Sequence, residues 1–281
     1  MNILYCGDCG IEDGLVMSVL SLLRHVNEPL HVYVLSMSYR NGGQAFIPVN
    51  SSLVSLLDSR VKEQSEDSFV RLFDLTDEFC QSEPLANLGT RFTPYCMLRL
   101  YDDLVDELPK RLLYLDHDVI CMDNPADFYH ENISDVEYVG VLDYYGRWVY
   151  SRNIFRPNYI NSGVMLLNME RIRITHLFER CRRYLRERRR FLPDQAALNA
   201  LAVSARLAPR RFNDQRRQHA DTVFRHFSTT WRLLPLPHTV TVKPWDLQRL
   251  HSRLRTHALD DLHLEYQDFI DNYIELRLNI L

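Results

Sequence analysis

The chain has 281 residues, 46% apolar and 25% charged, the mix of a globular protein rather than a disordered or fibrous one. Its formal net charge of −4 argues against a wholesale nucleic-acid coat. No run approaches the roughly 20 apolar residues of a membrane span, and six cysteines do not make a disulfide scaffold.

Met1-Asn2-Ile3-Leu4-Tyr5 runs straight into a strand pattern with no charged n-region, so no secretory signal is expected and a reducing cytoplasm is. The strand Asn2–Cys6 ends in Cys6-Gly7-Asp8-Cys9-Gly10, and a helical pattern follows with Leu15, Val19, Leu22 and Leu23 on one side. Leu30–Leu35 reads as a strand, Asn41-Gly42-Gly43 as a loop, Leu53–Val61 as a helix and Phe69–Phe73 as a strand. A helix over about Pro94–Leu104 then leads to the strand Arg111–Leu115. Strands alternating with helices predict parallel βαβ units and an α/β sheet. Glu137–Leu142 and Tyr159–Asn168 are further strands, around an aromatic and arginine-bearing loop, Tyr144–Pro157. Arg171–Arg190 reads as one arginine-laden helix, and Pro193 opens another through Val203. Thr222–Phe227 is a short strand, and two helices run from about Trp245 to Leu278. No repeat or clean linker interrupts the chain. One domain over 1–245 with a helical extension over 246–281 packed on it is therefore expected.

The sharpest local signal is Arg111-Leu112-Leu113-Tyr114-Leu115-Asp116-His117-Asp118. A buried-type strand delivers two carboxylates at its C-terminal end, where open α/β sheets bind ligands. In extended backbone the i, i+2 spacing puts both on one face. Paired carboxylates repel unless a cation neutralises them, which points to a divalent metal with a phosphorylated ligand. A solvated, acidic strand-end turn is the bland alternative. Two enzyme classes share the signature. In a phosphohydrolase the first Asp is a nucleophile and the second a general acid. In a nucleotide-sugar transferase a metal bridges the carboxylates and a diphosphate.

The rest of the chain favours the transferase. Tyr159-Ile160-Asn161-Ser162-Gly163-Val164-Met165-Leu166-Leu167-Asn168, Pro193-Asp194-Gln195-Ala196-Ala197-Leu198-Asn199, Phe212-Asn213, His226-Phe227-Ser228 and Lys243-Pro244-Trp245 follow in one order. With Asp8 and the acidic pair, this order resembles the retaining glycosyltransferases of family 8, which include lipopolysaccharide galactosyl- and glucosyltransferases and glycogenin. The resemblance covers roughly residues 1–245. It implies a GT-A type, Rossmann-like α/β fold with a mixed central sheet.

It also implies roles. Asp8 would lie near the uracil and ribose of the donor, with Cys6, Gly10 and Ile11 lining the same pocket. Arg99, at the family's offset of 17 positions before Asp116, would approach the sugar and diphosphate. Asp116, Asp118 and His226 would be metal ligands, Asp116 also near the ribose and His117 between the two within the donor-binding segment. Asp143 would hydrogen-bond the transferred sugar, Asn161, Ser162 and Gly163 would wall its pocket, and Asp194 would accept from a sugar hydroxyl. Gln195 would sit below the anomeric carbon, and Lys243 would hold the diphosphate. Seventeen positions separate His226 from Lys243, more than the family spacing, which leaves His238 as a competing ligand. Ala196 stands where the family often carries an acid. Mixed carboxylate and imidazole ligation favours Mn2+, with Mg2+, which prefers oxygen and water, as the alternative. The implied donor is UDP-glucose or UDP-galactose and the acceptor a glycan or glycolipid of a bacterial surface. A metal-dependent phosphohydrolase and a non-catalytic nucleotide-sugar-binding protein are the competing readings.

Other features carry weaker signals. Cys6-Gly7-Asp8-Cys9 lacks the second pair a structural zinc needs. Arg171–Arg217 holds fourteen arginines against Glu179, Glu187, Asp194 and Asp214. That patch is either a solvated face or a peripheral contact with the inner face of the membrane through anionic lipid. No reader motif supports specific nucleic-acid binding. Tyr144, Tyr145, Trp148 and Tyr150 are either acceptor-stacking rings or loop anchors.

Overall fold

The computed structural model describes residues 1–88, 93–144, 158–232 and 238–278. Its strands are β1 (Asn2–Cys6), β2 (His31–Ser36), β3 (Tyr39–Asn41), β4 (Gln44–Phe46), β5 (Phe69–Asp74), β6 (Arg111–Leu115) and β7 (Val119–Cys121). They continue with β8 (Tyr138–Leu142), β9 (Ile160–Asn168), β10 (Ala205–Ala208), β11 (Phe224–His226), β12 (Thr230–Arg232) and β13 (His238–Val240). The helices are α1 (Glu12–His25), α2 (Ser51–Lys62), α3 (Thr76–Gln81), α4 (Ala126–Tyr129) and α5 (Met169–Thr175). Beyond them lie α6 (Leu177–Glu187), α7 (Pro193–Leu201), α8 (Leu247–Arg249) and α9 (Asp260–Leu278).

Seven strands form a mixed sheet in the order β10-β8-β9-β6-β1-β2-β5. β9 runs antiparallel to both neighbours, and the other pairs are parallel. Alternation along each central strand feeds two cores, one on each face. Ile3, Leu113, Leu115, Val164 and Leu166 face one core, with α1, α2 and α9. Leu4, Leu112, Tyr114, Met165 and Leu167 face the other, with the 94–104 segment, α6 and α7. The terminal helix α9 docks on the first core through Leu262, Phe269 and Tyr273.

Several elements differ from expectation. Pro94–Leu104 is a 3-10 helix throughout. Asn41-Gly42-Gly43 turns the small hairpin β3–β4, with Gly42 and Gly43 at φ 55 and 87, a left-handed region that glycine enters without steric cost. The 171–190 segment is two helices, because His176 adopts φ 54 and turns the chain between α5 and α6.

The arginines of 171–217 are mostly tied into the fold. Arg182 is buried, donates to Leu100 O and forms a two-pronged pair with Asp103 (Nη2 to Oδ2 3.2 Å). Arg173 caps Val105 O, Arg180 reaches Thr175 O and Leu201 O, and Arg210 pairs with Asp214 and Asp221. On α6 and its exit, Arg183, Arg186, Arg188 and Arg189 are exposed. Arg182→Ala is expected to cost about 3 kcal/mol, since it removes a buried guanidinium and leaves the half-buried Asp103 carboxylate unpaired. Arg183→Ala, on the surface, should stay within about 0.5 kcal/mol. Urea unfolding of the two variants checks the contrast. Among the described residues no helix is long and apolar enough to cross a membrane.

Candidate functional site

β6 ends at Leu115, and the Val119 N–H closes back on Asp116 O at 3.0 Å. Asp116 and Asp118 therefore meet through a tight turn between β6 and β7. This corrects the expectation that strand alternation aligns them. The true alternation partner of Asp116 is Tyr114, whose hydroxyl donates to Asp116 Oδ1 at 2.8 Å. β11 pairs with β7 in the register His226↔Val119, and the Phe227 N–H donates to Asp118 O at 2.9 Å. That pairing delivers the His226 ring to the two carboxylates. Nε2 lies 3.2 Å from Asp118 Oδ1 and 3.8 Å from Asp116 Oδ2.

A chain of amides fixes what His226 presents. Asp143 Oδ2, which can only accept as a carboxylate, receives Gln195 Nε2 at 2.8 Å and Asn161 Nδ2 at 3.4 Å. Asn161 Oδ1 then accepts from the Gly163 N–H at 3.0 Å and from Asn213 Nδ2 at 2.9 Å. Asn213 is left with its oxygen toward His226 Nδ1, 3.0 Å away. Nδ1 is therefore the donor to Asn213, and Nε2 is left facing two carboxylates, able to bridge to them through a proton or to turn its lone pair on a shared cation. Three acceptors converging in this way need a cation, and a hydrogen bond to the far ring nitrogen is the usual support for a ligating imidazole. Gly163 forms the floor. A Cβ there would come within 2.3 Å of His226 Cε1 and 2.8 Å of Asp116 Oδ2. The residues present thus fit a divalent metal: Asp116, Asp118 and His226 offer one ligand atom each, all within 4.8 Å of one another.

Charge around this group is balanced by two cations. Burial alone would push the Asp118 carboxyl up, but His226 and Lys243 outweigh it and hold it well below the usual carboxylate range. Lys243 Nζ sits 2.6 Å from Asp118 Oδ2, so the lysine expected on a diphosphate is engaged with an acidic ligand in this structure. Arg99 is buried and stacks on the Tyr114 ring at 4.1 Å. It donates to Asp116 Oδ1 at 2.8 Å and Ser162 O at 2.7 Å, with Nε 3.4 Å from Asp194 Oδ2. Arg99 braces two carboxylates and the β9 backbone at once.

The sugar-pocket candidates also come together. Gln195 Oε1 accepts from the Ser162 N–H at 3.0 Å and from Asn161 Nδ2 at 3.2 Å. Ser162 Oγ donates to Asp194 Oδ2 at 3.0 Å, and burial raises the Asp194 carboxyl despite Arg99. Both Asp143 and Asp194 are buried and bonded to neutral or cationic donors.

The N-terminal candidates sit beside this group without joining its hydrogen bonds. The parallel register Leu4↔Tyr114 carries Cys6 to the level of Asp116. Asp8 Oδ1 caps the Gly10 N–H at 3.0 Å, and Ile11 is buried against Gly7. Burial pushes the Cys6 thiol well up, away from redox chemistry. His117 points away from the cation group. It packs between Gly14 and Trp245, its ring 5.6 Å from the indole, and burial lowers its pKa. Tyr144 lies against Arg216, 4.3 Å from the guanidinium, whereas Tyr145, Trp148 and Tyr150 fall outside the described residues, as does the side chain of His238. Sequence reasoning assigned no role to Tyr114, Asn213 or Gly14. Tyr114 could have been found from its i−2 relation to Asp116, and Asn213 from the Phe212-Asn213 motif.

Comparison with known proteins agrees with this architecture. The structure resembles the galactosyltransferase LgtC in complex with donor and acceptor sugar analogues (TM-score 0.65, 14% identity, 95% of this chain and 96% of that one). It also resembles the glycosyltransferase GlyE of Streptococcus pneumoniae TIGR4 (0.62, 15%, 98% and 64%) and mouse xyloside xylosyltransferase 1 (0.55, 15%, 80% and 96%). At such identities the likeness speaks for the fold, which is GT-A. No curated protein matches the chain by sequence. The family profile described as glycosyl transferase family 8 matches residues 2–217, and with most of its length so matched the chain belongs to glycosyltransferase family 8.

Proposed function

We propose that the protein is a retaining, manganese-dependent hexosyltransferase that moves glucose or galactose from its UDP-sugar to a glycan or glycolipid acceptor in surface polysaccharide synthesis. The observation that carries this reading is the convergence of Asp116 Oδ2, Asp118 Oδ1 and His226 Nε2 over Gly163, with Gln195 bonded to the preceding residue, Ser162. Asp116, Asp118 and His226 would hold a divalent cation there, which would supply positive charge to the departing diphosphate, an electrostatic effect of the kind that usually dominates such rates. Lys243, released from Asp118, is placed to add a second positive charge. Residues 1–245 would carry this chemistry, with 246–281 supporting it, and the unpaired cysteines suit a reducing cytoplasm.

The geometry favours departure and attack on the same sugar face. A two-step route needs a free carboxylate nucleophile under the anomeric carbon. Asp194 is bound by Arg99 and Ser162, and Asp143 by Gln195 and Asn161, so both are placed to accept from sugar hydroxyls. The acceptor's proton passes to the departing diphosphate oxygen while the Gln195 carbonyl faces positive charge at the anomeric carbon. Gln195→Ala is expected to lower turnover about 10–100-fold, roughly 1.4–2.7 kcal/mol, with donor affinity nearly unchanged. NMR anomeric couplings should show an α-linked product from an α-linked donor. A β-linked product, or a sugar ester on Asp194 or Asp143 by intact mass, overturns the same-face route.

A further inference from the structure

A second constellation of ligating side chains lies outside the transfer site, where the chain turns into its terminal helix. Arg255, at φ 53, folds the segment after Leu250–Leu254 back on itself, and the Thr256 N–H reaches Leu250 O at 3.3 Å. The Asp260 N–H in turn donates to His257 O at 3.2 Å. These closures are anchored from below by Leu250, Leu259 and Leu262, all buried in the first core. The result brings the His251 and His257 rings to 4.2 Å, tilted by 35°, and aims both at one carboxylate. His251 Nε2 is 2.6 Å from Asp260 Oδ1, and His257 Nδ1 is 2.9 Å from Asp260 Oδ2. The neighbouring His263 is not part of the set, since its Nε2 donates to Pro244 O at 2.7 Å.

We propose that His251, His257 and Asp260 form a second cation site, selective for zinc, that clips the 250–257 turn to the start of α9. The three ligand atoms lie within 4.8 Å of one another. Zn–N and Zn–O bonds of about 2.0–2.1 Å in a tetrahedral site need ligand atoms roughly 3.3 Å apart. Each ring now meets its own carboxylate oxygen, at 2.6 and 2.9 Å; zinc in place of the two bridging ring protons would turn one Asp260 oxygen toward both rings and widen these contacts to roughly 3.3 Å. Two imidazoles with one carboxylate select zinc over magnesium or calcium. Three protein ligands leave the fourth position to water. Because α9 also holds Pro244 through His263, the clip fastens the segment that carries Lys243.

The test is zinc titration of the full chain after chelator treatment, with stoichiometry by calorimetry and Tm by thermal unfolding. Asp118→Ala weakens the Asp116–Asp118–His226 group, leaving the second site to be read alone. In that background one zinc is expected to bind and raise Tm. Adding His257→Ala, a mostly exposed residue whose loss leaves the fold intact, should weaken the binding at least 10–100-fold, the cost of losing even an outer-shell partner, and abolish the Tm rise. Zinc binding unchanged by His257→Ala overturns the site, as does no zinc binding to the Asp118→Ala chain.

Discussion

Asp118→Ala is expected to abolish Mn2+-dependent UDP binding and to lower turnover by at least about 10²–10³-fold, the loss typical when one preorganised charge stabiliser is removed from a transfer site. Two effects combine. Asp118 Oδ1 faces His226 Nε2 and its Oδ2 holds Lys243, so the substitution deletes a ligand and frees two cationic or ligating partners from their fixed positions. Calorimetry of UDP with and without Mn2+ reads the binding half. UDP binding that needs no metal in the unaltered protein contradicts the assignment. The matched control is His25→Ala on α1, outside the group, which should change neither quantity.

Gly163→Ala is expected to be nearly as damaging although it removes no functional atom. Its methyl group would come within 2.3 Å of His226 Cε1 and 2.8 Å of Asp116 Oδ2. Neither can yield easily: His226 is buried and held by Asn213, and Asp116 is held by Arg99 and Tyr114. A displacement near 1 Å costs on the order of 10²-fold in rate, so turnover should fall by about that factor. Thermal stability should fall far less than for Arg182→Ala, because β9 itself stays paired. Steady-state UDP release and Tm measured side by side separate the two effects. Full activity in Gly163→Ala would show that no cation needs this space.

The strands that build the site were legible because they are buried apolar runs with clear ends: Asn2–Cys6, Arg111–Leu115 and the long Ile160–Asn168. β10 was not, since Ala205-Arg206-Leu207-Ala208 is a half-exposed edge strand without a β-branched residue. β7 was hidden because only three residues separate it from β6, and it pairs outside the main sheet. The 94–104 segment carries an apolar stripe that eleven residues cannot resolve into 3.0 or 3.6 residues per turn. The acidic pair could be read from its strand end, but the turn that joins it depends on β11, about a hundred residues away. The orientation of His226 rests on Asn213, Asn161 and Asp143, which meet only in the folded chain. The same holds for Arg182, whose place in a run of basic residues suggested surface while Asp103 and Leu100 draw it inside.

The proposed reaction is transfer of a hexose from a UDP-sugar with a divalent cation held by Asp116, Asp118 and His226. Release of UDP from a panel of nucleotide sugars tests it most directly, because water serves as an acceptor of last resort and the natural acceptor need not be known. UDP release is expected from UDP-glucose or UDP-galactose in Mn2+, none after chelation, and none from the Asp118→Ala protein. Release that persists in chelator, or no release from any UDP-sugar while phosphate esters are hydrolysed, would contradict it.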